Sequence, residues 1–215
     1  MTAPADPTGT VFVIDDDASV RRALERQLRT AGFRVETFES AQEYVARAPQ
    51  AEIACILTDV RMPGMSGLDL QDSLAQAGRA LPMVFITGHG DIPTTVRAMK
   101  AGAVNFLPKP FAEREILAAV AEALDRSREL DRARWETERL RARFQALTPR
   151  EREVLALVAA GLLNKVIADR LGIAETTIKV HRGRVMEKMG ASSLADLVRM
   201  SERLGLAPDA DPARR

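Results

Sequence analysis

The 215-residue chain reads as an α/β unit, a doubly wound five-stranded parallel sheet, followed by a helical linker and an all-helical unit of four helices. Three observations predict this. Short apolar runs rich in Val, Ile, Leu and Phe alternate with helical patterns up to about residue 125, as strands buried on both faces and joined by crossover helices do. Neither Gly nor Pro interrupts residues 113–146, where Ala, Leu, Glu and Arg dominate. After Thr148 the apolar residues recur at helical spacing only.

The elements follow in order. Residues 11–14 predict a buried strand and 19–31 a helix closed by Gly32; Asp15 or Asp17 could cap it. Residues 33–38 alternate apolar with polar and predict an edge strand. Ser40 predicts a helix N-cap, with Glu43 completing a capping box. Residues 53–57 form the next strand, and Met62-Pro63-Gly64 is turn chemistry before a helix over 67–77. A strand over 83–86 precedes Asp91, a predicted N-cap, and a helix to Ala101. Residues 104–107 form the last strand. From Glu113 the pattern predicts one long helix or two, docked through Ile116, Leu117, Val120 and Leu124, with Leu130, Ala133, Leu140 and Phe144 continuing the apolar face more loosely. Thr148-Pro149-Arg150-Glu151 combines an N-cap, a Pro at the first helical position and a capping-box Glu. That helix stops at Gly161. Asn164 predicts the cap of a short helix ending at Leu171-Gly172, a longer helix spans 175–189, and Ser193 opens the last. A short helix, a Gly turn and a longer helix is the helix-turn-helix pattern.

The net charge of +1 hides a split: residues 1–125 carry −5, residues 126–148 carry +3, and residues 149–204 carry +3. An acidic half joined to a basic half suggests a metal or phosphate switch attached to a nucleic-acid binder. Cys55 is the only cysteine, so an internal disulfide is excluded and a buried thiol expected. Residues 1–10 lack the charge and apolar core of a signal peptide, and no run approaches the ~20 apolar residues of a membrane span. A cytoplasmic protein is expected.

Four polar signals stand at strand ends: Asp15-Asp16, Asp59, Thr87 and Lys109-Pro110. Open α/β sheets gather functional groups beyond the carboxyl ends of their strands, so one crevice is expected to hold all four. Carboxylates, a lysine and a hydroxyl there suit a hard cation and a phosphoryl group. A nucleophilic Asp accepts phosphate, a cation neutralises the developing charge, and a hydroxyl reports the product. Taken singly, Lys109 reads as a solvated lysine, Thr87 as a turn residue and Phe106 as core.

Together, Val-Ile-Asp-Asp-Asp (13–17), Leu-Thr-Asp-Val-Arg-Met-Pro-Gly-Met-Ser-Gly (57–67), Thr-Gly-His-Gly-Asp (87–91) and Phe-Leu-Pro-Lys-Pro-Phe (106–111) resemble the receiver domain of bacterial response regulators. The resemblance implies strand order 2-1-3-4-5, Asp59 as phosphoacceptor, and Mg²⁺, with Mn²⁺ as a substitute, on Asp15, Asp16, Asp59 and the Arg61 carbonyl. It also implies Thr87 and Lys109 as phosphoryl contacts, a cis bond before Pro110, Phe106 at the aromatic switch position, and Arg61 and His89 flanking the attacking water and tuning phosphoryl lifetime.

Leu-Thr-Pro-Arg-Glu-Arg-Glu-Val-Leu (147–155), Gly-Leu-Leu-Asn-Lys-Val-Ile-Ala (161–168) and Thr-Ile-Lys-Val-His-Arg-Gly-Arg-Val-Met-Glu-Lys-Met (177–189) resemble the LuxR/FixJ helix-turn-helix, and the pair is similar to the FixJ/NarL class of transcription regulators, leaning to the FixJ branch. Helical spacing puts Ile178, Val185 and Met189 inward, against Ile167, Ala168 and Leu171. It puts Thr176, Val180, Gly183, Arg184 and Glu187 outward, flanked by Lys179. Lys179, Val180, Gly183 and Arg184 are the expected base contacts, and Asn164, Lys165, Thr176, Thr177, His181 and Lys188 the backbone contacts. For His181 the alternative is a packed histidine; the role of Arg182 stays open.

The expected domains are a receiver over 1–125, a linker over 126–146, a DNA-binding domain over 147–207 and a disordered tail over 208–215. The expected function is a phosphorylation-controlled regulator of a two-component system, not an enzyme beyond self-phosphorylation and autodephosphorylation. Its expected partners are a sensor histidine kinase, promoter DNA, a second copy on phosphorylation, and RNA polymerase, with no membrane. Residues 91–111, the linker helix, or the last helix with Leu194, Leu197 and Val198 would form the dimer. Rival readings are a phosphorelay or adaptor whose helical half binds protein or RNA, and an aspartate-nucleophile phosphatase, which the attached helix-turn-helix disfavours.

Overall fold

The computed structural model describes residues 9–88 and 92–206, so His89, the expected Asp91 cap and the expected disordered tail lie outside the described residues. The chain divides into two compact units, Met1–Asp131 and Arg132–Arg215.

In the first unit, β1 (Thr10–Ile14), β2 (Arg34–Phe38), β3 (Ala54–Asp59), β4 (Met83–Thr87) and β5 (Asn105–Pro108) form one parallel sheet in the order β2-β1-β3-β4-β5. Alternate residues of each strand feed opposite faces, as the two-residue period requires. Phe12, Ile14, Ile56 and Phe85 pack against α2 (Ala41–Arg47), α3 (Gly67–Gln76) and α4 (Ile92–Lys100). Val11, Val13, Cys55, Leu57, Val84 and Ile86 pack against α1 (Ala18–Thr30) and the first turns of α5 (Glu113–Gln145). Cys55 is fully buried, and burial pushes its thiol up to about 12. Among the described residues no helix is long and apolar enough to cross a membrane.

Several local expectations change. Asp17, not Asp15, caps α1, accepting from the Ser19 and Val20 N–H groups. The Ser40 cap forms, but Glu43 reaches the N–H of Glu39 instead of that of Ser40, so the box does not close. A closed box stands instead at Ser66 and Asp69, opening α3. The last strand starts at Asn105 and is half-exposed, because it is an edge and not a central strand.

The long pattern resolves as one helix, α5, of 33 residues. Its Ser127 is buried, and the Ser127 hydroxyl accepts the N–H of Ala54 at 3.1 Å, tying α5 to the start of β3. Leu130 and Ala133 stay exposed, whereas Leu140 and Phe144 join the core of the second unit. Between them stands Trp135, 58% exposed, with the Arg139 guanidinium 5.1 Å from its ring centre.

The second unit packs the end of α5 with α6 (Pro149–Ala159), α7 (Asn164–Leu171), α8 (Glu175–Met189) and α9 (Leu194–Arg203). Ile178, Val185 and Met189 are buried with Ile167 and Ala168, as their spacing predicts. The Thr148–Glu151 box closes with Pro149 in the first turn. Leu163, not Asn164, is the N-cap of α7, with no side-chain cap bond. The Asn164 side-chain oxygen instead accepts from the Arg182 guanidinium at 3.1 Å, which ties Arg182 to the start of α7. Leu197 is fully buried in the core and so is not available as a surface residue of α9.

Candidate phosphoryl site and nucleic-acid interface

Parallel pairing brings the carboxyl ends of β1, β3, β4 and β5 to one rim, and three of the four strand-end signals bond to each other there. The Lys109 ammonium donates to Asp59 Oδ2 at 2.7 Å and to Asp15 Oδ2 at 3.1 Å. Asp59 Oδ1 accepts the Arg61 N–H at 2.9 Å, and Asp15 Oδ1 accepts the Asp17 N–H at 2.9 Å. The fourth signal joins through the backbone: the Lys109 N–H donates to the Thr87 carbonyl at 2.6 Å. Thr87 is buried at the end of β4, and the Lys109–Pro110 bond is cis.

Asp15 is 1% exposed. Burial raises its carboxyl above the ordinary value, against the bonds from Asp17 and Lys109 that stabilise the charge. Burial pulls the Lys109 ammonium down, but the bonds and charges of Asp59 and Asp15 outweigh it and the net shift is upward. Asp16 is exposed at the same rim. Among the described residues no three carboxylate, imidazole or thiolate groups converge on one point. Two carboxylates that share the Lys109 ammonium, with Asp16 next in the chain, still fit Mg²⁺, which takes one or two carboxylates and keeps several waters.

Two supports had no clear signal in the sequence. The Arg21 guanidinium donates to the Asp15 carbonyl at 2.6 Å and pins the acidic turn. A side chain on Gly67 would collide with the Asp59 carbonyl, so only glycine lets α3 start this close beneath Asp59. Phe106 is half-buried, its ring 6.2 Å from that of Phe85.

In the second unit α8 presents Thr176, Thr177, Lys179, Val180, Gly183 and Arg184 to solvent. Val180 is 53% exposed, and a Cβ on Gly183 would meet nothing within 4 Å. Lys179 pairs with Glu175 along the helix, and Lys165 is exposed on α7. His181 is half-buried, with its Nδ1 buried and without a hydrogen-bond partner. Two expected backbone contacts are engaged inside the unit: Asn164 by Arg182, and Lys188, whose ammonium lies 2.7 Å from Glu151 Oε2. Glu151 is 2% exposed, and the Lys188 bond, helped by the Thr148 N–H and opposed by burial, holds its carboxyl down at about 2.

Residues 11–121 match the family described as response regulator receiver domain, and residues 145–201 match bacterial regulatory proteins of the luxR family. Nodulation protein W of Bradyrhizobium diazoefficiens is 50% identical over 203 residues, covering 94% of this chain and 89% of that protein. The transcriptional regulatory protein FixJ of Azorhizobium caulinodans is 45% identical over 204 residues, covering 94% and 97%. Among solved structures, the response regulator StyR superposes with a TM-score of 0.77 at 50% identity, over 91% of this chain and 99% of StyR. The chain therefore belongs to the two-component response regulators and is a phosphorylation-controlled transcriptional regulator of the FixJ kind, with a receiver domain and a LuxR-type DNA-binding domain.

Proposed function

We propose that Asp59 accepts the phosphoryl group from a histidine kinase. The carrying observation is the Lys109 ammonium held between Asp59 and Asp15 at the sheet rim. A carboxylate oxygen of Asp59 attacks phosphorus, the O–P bond forms as the N–P bond of the phosphohistidine breaks, and the imidazole leaves. Lys109 follows the charge onto a phosphoryl oxygen. Asp15, Asp16, Asp59 and the Arg61 carbonyl would hold Mg²⁺, or Mn²⁺, which when bound offsets negative charge on the phosphoryl oxygens. Arg61 and His89 tune how long the acyl phosphate lasts before water removes it.

Thr87 reports the product. Its partner on β5 is Pro108, the residue before Lys109, and its carbonyl accepts the Lys109 N–H, so a change at the lysine reaches the end of β4. The next helix, α4, exposes Ile92, Val96 and Met99 at helical spacing, with Ile92 79% exposed. This apolar face suits a second copy, so phosphorylation favours a dimer that matches two half-sites. In the DNA-binding unit, Lys179, Val180 and Arg184 face base edges, and Gly183 lets the helix approach closely. Lys165, Thr176, Thr177 and His181 meet phosphates. Asn164 and Lys188 are better cast as internal supports, Asn164 presenting Arg182 and Lys188 bracing α8. RNA polymerase is the further partner.

Duplex selection from random sequence, with and without an acyl-phosphate donor and Mg²⁺, tests the reading. The wild type enriches a two-half-site motif more strongly with the donor, and Asp59→Asn shows no donor effect. Phosphate retained by Asp59→Asn would overturn the assignment of the acceptor.

A further inference from the structure

The carbonyl end of α8 is held from outside. The Arg143 guanidinium, from the last turn of α5 and half-buried, donates to the Met189 carbonyl at 2.9 Å. The chain then turns through Gly190 at φ +67°, where a Cβ would lie 2.7 Å from Arg143 Nη1, so the glycine both makes the turn and leaves room for the guanidinium. One residue earlier, Lys188 reaches Glu151 and the Ala146 carbonyl, both at the α5–α6 junction. A helix ends with unsatisfied carbonyls and a partial negative charge, so a cation there is favoured on both counts.

The end of α5 is itself fixed within this unit. Leu140 and Phe144 lie in its core, Arg152 stacks on Phe144 and donates to the Gln145 carbonyl at 2.8 Å, and Arg203 pairs with Glu136 at 3.0 Å. None of these groups lies on the exposed face of α8 that carries Lys179, Val180 and Arg184. Arg143 therefore has a defined place in the scaffold and acts on the recognition helix from behind.

We propose that Arg143 is a positioning residue for sequence readout: by clamping the carbonyl end of α8 to the last turns of α5, it sets the angle at which α8 meets base edges. This rests on the reading of α8 as the recognition helix. A bidentate contact needs its geometry kept, whereas phosphate attraction tolerates a tilt, so loss of the clamp separates specific from non-specific binding.

The test uses the full chain, its selected duplex and a random duplex. Arg143→Met keeps the apolar stem and removes the donor. It lowers affinity for the selected duplex on the order of tenfold or more, as a misread base pair does. Affinity for the random duplex changes less than about threefold, and the slope of log K against log salt stays the same. Arg143→Lys, which restores a cation at the carbonyl, recovers most of the loss. Should Arg143→Met not fold, Arg143→Gln shortens the arm and carries the same expectation. Equal loss on both duplexes, no loss, or a salt slope shallower by about one, the mark of a phosphate contact, would overturn the proposal. A wild-type chain that selects no duplex would instead sink the reading of α8 itself.

Discussion

Asp15 shows why a functional carboxylate costs stability. It is buried beside Asp59, and Lys109 serves both. Asp15→Asn removes the like charge and the burial penalty, so we expect a higher Tm for the metal-free protein and loss of the further rise that Mg²⁺ gives the wild type, measured by thermal unfolding with and without Mg²⁺. Gly183 makes the converse case, since a Cβ there would meet nothing within 4 Å. Gly183→Ala is expected to add about 1 kcal/mol and raise the Tm of its unit by about 4–8 °C, read in a melt. At this scale Asp59, Thr87 and Lys109 were legible because acidic, hydroxyl and amine groups stand out at the ends of apolar runs. Arg21 and Arg143 were not: both donate to main-chain carbonyls, which leave no mark in the sequence. Asn164 misled because an Asn before a helical pattern reads as a cap, while its oxygen was taken by a guanidinium 18 residues away.

Periodicity made the elements legible, and their ends less so. The strands of the first unit feed two apolar layers, so a slip by one residue would exchange the layers, and the pattern had only one register to give. The α5–α6 junction was half legible: the capping box was plain, but not that Glu151 also receives Lys188. That second bond makes a pH prediction. The folded carboxyl lies at about 2, below its ordinary value of 4.5, so its stabilisation is complete above 4.5, shrinks as pH falls and is gone near 2. Glu151→Gln is therefore less stable than the wild type at pH 7, and the gap closes as unfolding is followed down to about pH 2. The end of α5 makes another. Leu140 and Phe144 belong to the core of the second unit, so a fragment of residues 132–206 is expected to exceed one of 147–206 by at least about 2 kcal/mol in denaturant unfolding, the worth of one buried leucine.

For the whole molecule, the charge split between halves already pointed to a switch and a nucleic-acid binder, and the two matched families span those halves. What charge and periodicity could not convey is which exposed apolar residues serve association, because scattered surface hydrophobics are ordinary. The α4 row is different in being contiguous. Val96→Glu is expected to leave phosphorylation of Asp59 intact and to abolish the rise in mass on adding acyl phosphate, followed by light scattering; a dimer that persists would move the interface elsewhere. The isolated indole of Trp135, the chain's only tryptophan, gives a way to watch such events without a label. Its emission comes from one place, the start of the second unit, and the Arg139 cation over the ring makes its colour and brightness sensitive to anything that covers or parts the pair. Acyl phosphate, a second copy and operator DNA can each be titrated against that one fluorescence signal, and a quencher in solution would show which of them shields the indole.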